Sequence, residues 1–135
     1  MTLPVQGVSD KSNEVFTGTA TGYMSGKGDL KINTNTGLRC VGEFKYIDGF
    51  EKGVGGFSCS DGRQGDFTFT STGVAGKGYA LLNDGNKAQF LFGQVPNYSE
   101  VEWDHVQRVH ETLSAQMKDS IFYCDEYPKT PKCSK

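Results

Sequence analysis

From Cys40 to Phe92 the chain alternates with a period of two. Cys40, Phe44, Tyr46, Phe57, Cys59, Phe67, Phe69, Phe90 and Phe92 fall on one face, and Glu43, Lys45, Ser58, Asp66, Thr68 and Thr70 on the other. That pattern predicts antiparallel strands with one apolar face. Asn35-Thr36-Gly37, Ser60-Asp61-Gly62 and Asn83-Asp84-Gly85 each fit a three-residue hairpin loop whose last residue needs positive φ. Phe44, Phe67 and Phe90, each following one of these loops, stand 23 residues apart, the mark of a repeated hairpin. Centring the hairpins on those loops sets glycine against an aromatic throughout. The pairs are Gly28 with Phe44, Gly26 with Tyr46, Gly55 with Phe67, Gly53 with Phe69, Gly78 with Phe90 and Gly76 with Phe92. A ring lies flat across a neighbouring strand only where that strand lacks a Cβ. A two-residue turn led by Gly49 joins the first two hairpins and brings Cys40 opposite Cys59, within disulfide reach.

Outside this core the pattern changes. Val15–Tyr23 predicts an edge strand of open register, and residues 1–14 read as a flexible leader. Pro96 ends the sheet. Ser99 and Glu102 form a capping box, and Trp103, Val106, Val109, Leu113 and Met117 recur at helical spacing to about Lys118. One apolar stripe on a helix is expected to cover one apolar sheet face. Cys124 and Cys133 then pair by elimination, with Pro128 and Pro131 between them. The expected fold is one mainly β domain over 15–135. It is a glycine-rich antiparallel meander of about seven strands with a C-terminal helix packed on its aromatic face.

Composition narrows the function more by exclusion than by assignment. With 14 basic and 16 acidic residues, the 135-residue chain has no electrostatic footprint for nucleic acid. No stretch is long and apolar enough for a transmembrane helix, and no signal peptide is visible. Four cysteines without a Cys-x2-Cys pair suit disulfides better than zinc. His105 and His110 stand on different sides of the expected helix, so no metal site is expected. There is no G-x-S-x-G elbow, the G-x-G elements lie in strands, and Asp61 and Asp84 belong to turns. The chain therefore reads as a non-enzyme without a cofactor. Two surfaces stand out. Tyr79, Leu81 and Leu91 form an outward apolar group suited to a partner, and Ser60, Asp61, Gly62 and Arg63 form a turn suited to blocking an enzyme. Arg63 itself reads as a solvated turn residue.

The run GKGYALLNDGNKAQFLFG, preceded by GVGGFSCSDGRQGDFTF, resembles MORN repeats over residues 26–93. VFTGTATGY, GLRCVGEF and GFSCSDGRQGDFTF are similar to small lipoproteins of Gram-negative bacteria. The lipoprotein resemblance implies a periplasmic-side, outer-membrane-anchored location, with Met1 standing where a lipid-bearing cysteine would be. It supplies no activity; together with the lack of catalytic motifs, the expected function is a non-catalytic envelope domain that binds a partner or serves structurally. The alternatives are a periplasmic inhibitor or immunity protein against a cell-wall-attacking enzyme, and a cytosolic MORN-like scaffold.

Overall fold

The computed structural model describes residues 2–9, 14–47, 49, 51–72, 75–93, 108 and 122–133. Eight strands follow one another: β1 (Thr2–Ser9), β2 (Val15–Gly22), β3 (Lys27–Thr34), β4 (Arg39–Ile47), β5 (Lys52–Cys59), β6 (Gln64–Ser71), β7 (Ala75–Leu82) and β8 (Lys87–Gly93). Each pairs antiparallel with the next, and β1 pairs with β8 to close a barrel.

Closure overturns the expected open meander of about seven strands. Thr2–Ser9, read as part of a flexible leader, is β1, the strand that brings the count to eight. Its Val5 faces Phe92 and its Gly7 faces Phe90, so it seals the seam between the first and last hairpins. Val15–Gly22 consequently has neighbours on both sides and is not an edge. The aromatic face is the barrel interior, because the sheet curls round to cover itself, and among the described residues no helix is packed on it. Among the described residues no helical element forms. The segment 99–118 expected to be helical lies outside the described residues except for Arg108, which is helical and exposed.

The central hairpins match the alternation closely. Cys40 faces Cys59 and Phe44 faces Gly55, while Phe67 faces Gly55 and Phe90 faces Gly78. Gly37, Gly62 and Gly85 have φ of 87°, 94° and 86°, as the three-residue loops require. Five of the six expected glycine–ring pairs hold: a Cβ on Gly28, Gly53, Gly55, Gly76 or Gly78 would collide with Phe44, Phe69, Phe67, Phe92 or Phe90 respectively. The sixth does not. Gly26 is a turn residue with φ 89° and open space around it, and the Tyr46 ring reaches Gly22 of β2 instead.

Both disulfides form as expected, Cys40–Cys59 between β4 and β5 and Cys124–Cys133 in the C-terminal tail. The tail lies against the outer wall. Tyr123 covers Gly56 and clusters with Val54 and Tyr127, beside Ile47 and Cys133. The Tyr123 hydroxyl donates to Asp66 at 3.3 Å, the Lys132 amide donates to the same carboxylate at 2.9 Å, and the Lys129 amide donates to Gln64 at 2.7 Å. An outward aspartate of β6 is thus fully buried. Burial raises its pKa above the ordinary carboxylate value, and the donors only partly offset that shift.

Candidate functional site

Inside the barrel, ring-bearing and ring-accepting strands alternate. Toward one end, β4, β6 and β8 supply Phe44 and Tyr46, Phe67 and Phe69, and Phe90 and Phe92, while β3, β5 and β7 supply the glycines on which the phenylalanine rings lie. Rings pressed flat against backbone fill less of the lumen than rings pointing at its axis. On the opposite wall, β2 offers only Ala20 and Gly22. The result is a cavity of about 390 Å³ lined by apolar side chains, among them Leu3, Ala20, Leu30, Phe44, Phe69 and Phe92.

The rings hold one another edge to face: Phe44 and Phe69 lie 5.4 Å apart at 90°, and Phe69 and Phe92 5.5 Å apart at 87°. Such pairs add about 0.5–1.5 kcal/mol each beyond burial, so the wall is stiff. Tyr23 and Met24, on the β2–β3 turn, stand at the mouth, with Met24 100% exposed. The Tyr23 hydroxyl donates to Asp29 at 2.9 Å, which fixes that turn from outside.

Deeper in the barrel lies a second apolar space of about 70 Å³, lined by residues that include Phe16, Ile32, Phe57 and Ala80. Val5, Leu30, Phe67 and Phe90 line both spaces and so form the partition between them.

At the far end the connections are tied together. The Arg63 guanidinium reaches Asp61 in its own turn at 2.8 Å, Glu14 at 3.1 Å and Asp84 of the β7–β8 turn at 3.6 Å. Glu14 also accepts from Thr36 of the β3–β4 turn at 3.0 Å. Four connections at that end are therefore joined through one arginine. Its side chain is only 19% exposed, which corrects the reading of Arg63 as a solvated turn residue. Burial works against its charge, but the bonds to Glu14 and Asp61 outweigh it and raise its pKa. The neighbouring Ser60, Asp61 and Gly62 are exposed. A polar hollow of about 240 Å³ lies beside them, lined by Glu14, Thr36, Leu38 and Arg63 among others.

The outward group on the third hairpin is placed differently from an exposed patch. Tyr79 and Leu91 are buried, at 6% and 1% exposure, and Leu81 is half-buried. Among the described residues, no group of three or more His, Cys, Asp or Glu is arranged to hold a metal ion. The sequence reading missed the cavity, although one signal was available. Leu3, Val5 and Gly7 alternate with polar or exposed positions and continue the inward pattern into the supposed leader.

No family model and no curated protein matches the chain. Its fold is similar to designed β-barrels. A redesigned barrel, mFAP1, solved bound to DFHBI, aligns with a TM-score of 0.57 at 10% identity over 69% of this chain and 92% of that one. A fluorescence-activating barrel designed de novo aligns with a TM-score of 0.52 at 14% identity over 70% of this chain and 91% of that one. At such identities the likeness establishes the barrel fold and nothing further.

Proposed function

We propose that the protein is a non-catalytic binding module of the cell envelope whose barrel takes a small apolar molecule through the Tyr23–Met24 mouth. The observation that carries this reading is the apolar cavity of about 390 Å³ inside the barrel, at the end away from the Arg63 ion pairs. Its size and apolar lining match ordinary small-molecule sites. That a barrel of the same fold is bound to DFHBI supports the capacity of the architecture. The two disulfides favour an oxidising compartment and weigh against the cytosolic scaffold. The envelope reading includes a lipid-bearing cysteine at the position of Met1; acyl mass on the native protein in a membrane fraction is its test.

Binding is tested by titrating an uncharged naphthylamine dye and following its fluorescence. Saturable enhancement is expected, and Ala20→Trp, which fills the cavity, weakens it at least tenfold while far-UV circular dichroism stays unchanged. Equal binding by the two proteins overturns the reading.

The exposed Ser60, Asp61 and Gly62 favour a second reading, a turn that blocks an enzyme. On that reading Asp61→Lys abolishes inhibition of a cell-wall hydrolase, and Ala20→Trp leaves inhibition intact.

A further inference from the structure

We infer that the ligand is a single unbranched hydrocarbon chain with a polar head, and that Leu30 and Val5 set the length of chain accepted. This rests on the apolar-ligand reading and specifies it. The outer space is lined by apolar groups almost throughout, so a charged head has no partner inside and stays at the mouth. The inner space lies behind a partition of Val5, Leu30, Phe67 and Phe90. A flat ring system is too broad to lodge its end against that partition, whereas a methylene chain is slender enough for its end to abut it. Phe67 and Phe90 are held edge to face, 6.0 Å apart at 81°, and each lies on a glycine. The two aliphatic members have no such brace. Leu30 faces Gly42 of β4 and Ala20 of β2, where little opposes its side chain.

The partition therefore acts as a stop for the chain end. As a chain lengthens, each further buried methylene improves binding roughly fourfold, until its end meets the stop and the gain ends. Shortening Leu30 or Val5 joins the two spaces and moves that end point to longer chains.

The experiment displaces the naphthylamine dye with unbranched primary alcohols from hexanol to tetradecanol, in wild type, Leu30→Ala, Val5→Ala and Leu82→Ala. Leu82 is buried in the core but lines neither space, so its variant controls for a merely loosened barrel. In wild type, affinity is expected to climb and then level at one chain length. Leu30→Ala and Val5→Ala are expected to shift that length upward by about two carbons, while Leu82→Ala leaves it in place. Using two partition variants covers the case in which one does not fold. An unchanged levelling point in both, or an equal shift in Leu82→Ala, overturns the inference while dye binding still stands. Failure of the dye itself to bind wild type overturns the underlying reading as well.

Discussion

A glycine beneath a ring is the unit from which this interior is made, and it is also the most exacting position in the chain. A methyl group on Gly78 lands on the Phe90 ring and close to the backbone oxygen of Thr68. Gly78→Ala is therefore expected to cost about 1–3 kcal/mol as overpacking, measured by urea unfolding. Asp66 gives a second residue-scale expectation. Its folded pKa lies above the ordinary 3.8 because burial disfavours the charge. The stability contributed by the protonated form is thus complete below about pH 3.8 and is lost as pH rises through the folded value. Glu43, raised by burial and by Glu126 beside it, acts in the same direction. In urea unfolding, the stability of wild type relative to Asp66→Asn should fall as pH rises from this window. A difference that stays flat or grows with pH contradicts the assignment. At this scale much was legible in the sequence, because facing residues in a hairpin are fixed by the turn between them. Cys40 opposite Cys59 and the rings on Gly53, Gly55, Gly76 and Gly78 all follow from local arithmetic. Tyr46 on Gly22 does not, because that contact reaches β2, two strands away, where the sequence offered no turn from which to set a register. Arg63 escaped for a similar reason: Glu14 lies 49 residues away in sequence.

Among the elements, the two disulfides do different work. Cys40–Cys59 lies inside the barrel and links residues 19 apart, whereas Cys124–Cys133 closes nine residues of tail on the outer wall. Replacing Cys40 and Cys59 together by alanine is expected to cost the whole fold about 2–4 kcal/mol. Replacing Cys124 and Cys133 by serine is expected to release the tail while leaving the barrel folded. Hydrogen exchange distinguishes the two. In the tail variant the Lys129 and Lys132 amides, which donate to Gln64 and Asp66, lose protection while β5 and β6 keep theirs. The tail pairing was reached by elimination, but its docking site was not, since nothing in the alternation marks Asp66 and Val54 as covered rather than solvated. β1 is the converse case. Its inward residues alternate correctly, yet Pro4 and the polar residues around it disguise a strand that only its two neighbours stabilise.

For the whole molecule, closure is what separates a container from a ribbon. An open meander would leave its aromatic face to be covered by another element; the barrel covers it with its own curvature and leaves a void where flat rings and glycines underfill one end. Deleting residues 2–9 exposes the edges of β2 and β8 and opens the void, so the truncated chain is expected to self-associate, read as an earlier elution on size exclusion. An unchanged monomer would mean that β1 is dispensable. The central claim is that the mouth-side cavity binds an apolar molecule. It is tested most directly by amide chemical-shift mapping of the full chain during titration with the naphthylamine dye. The account predicts shifts at Leu3, Gly22, Tyr46, Phe69 and Phe92, with Cys40, Cys59 and Leu82 at the tied end unmoved. Shifts confined to the outer wall or to the Arg63 end, or no shifts at all, would contradict it.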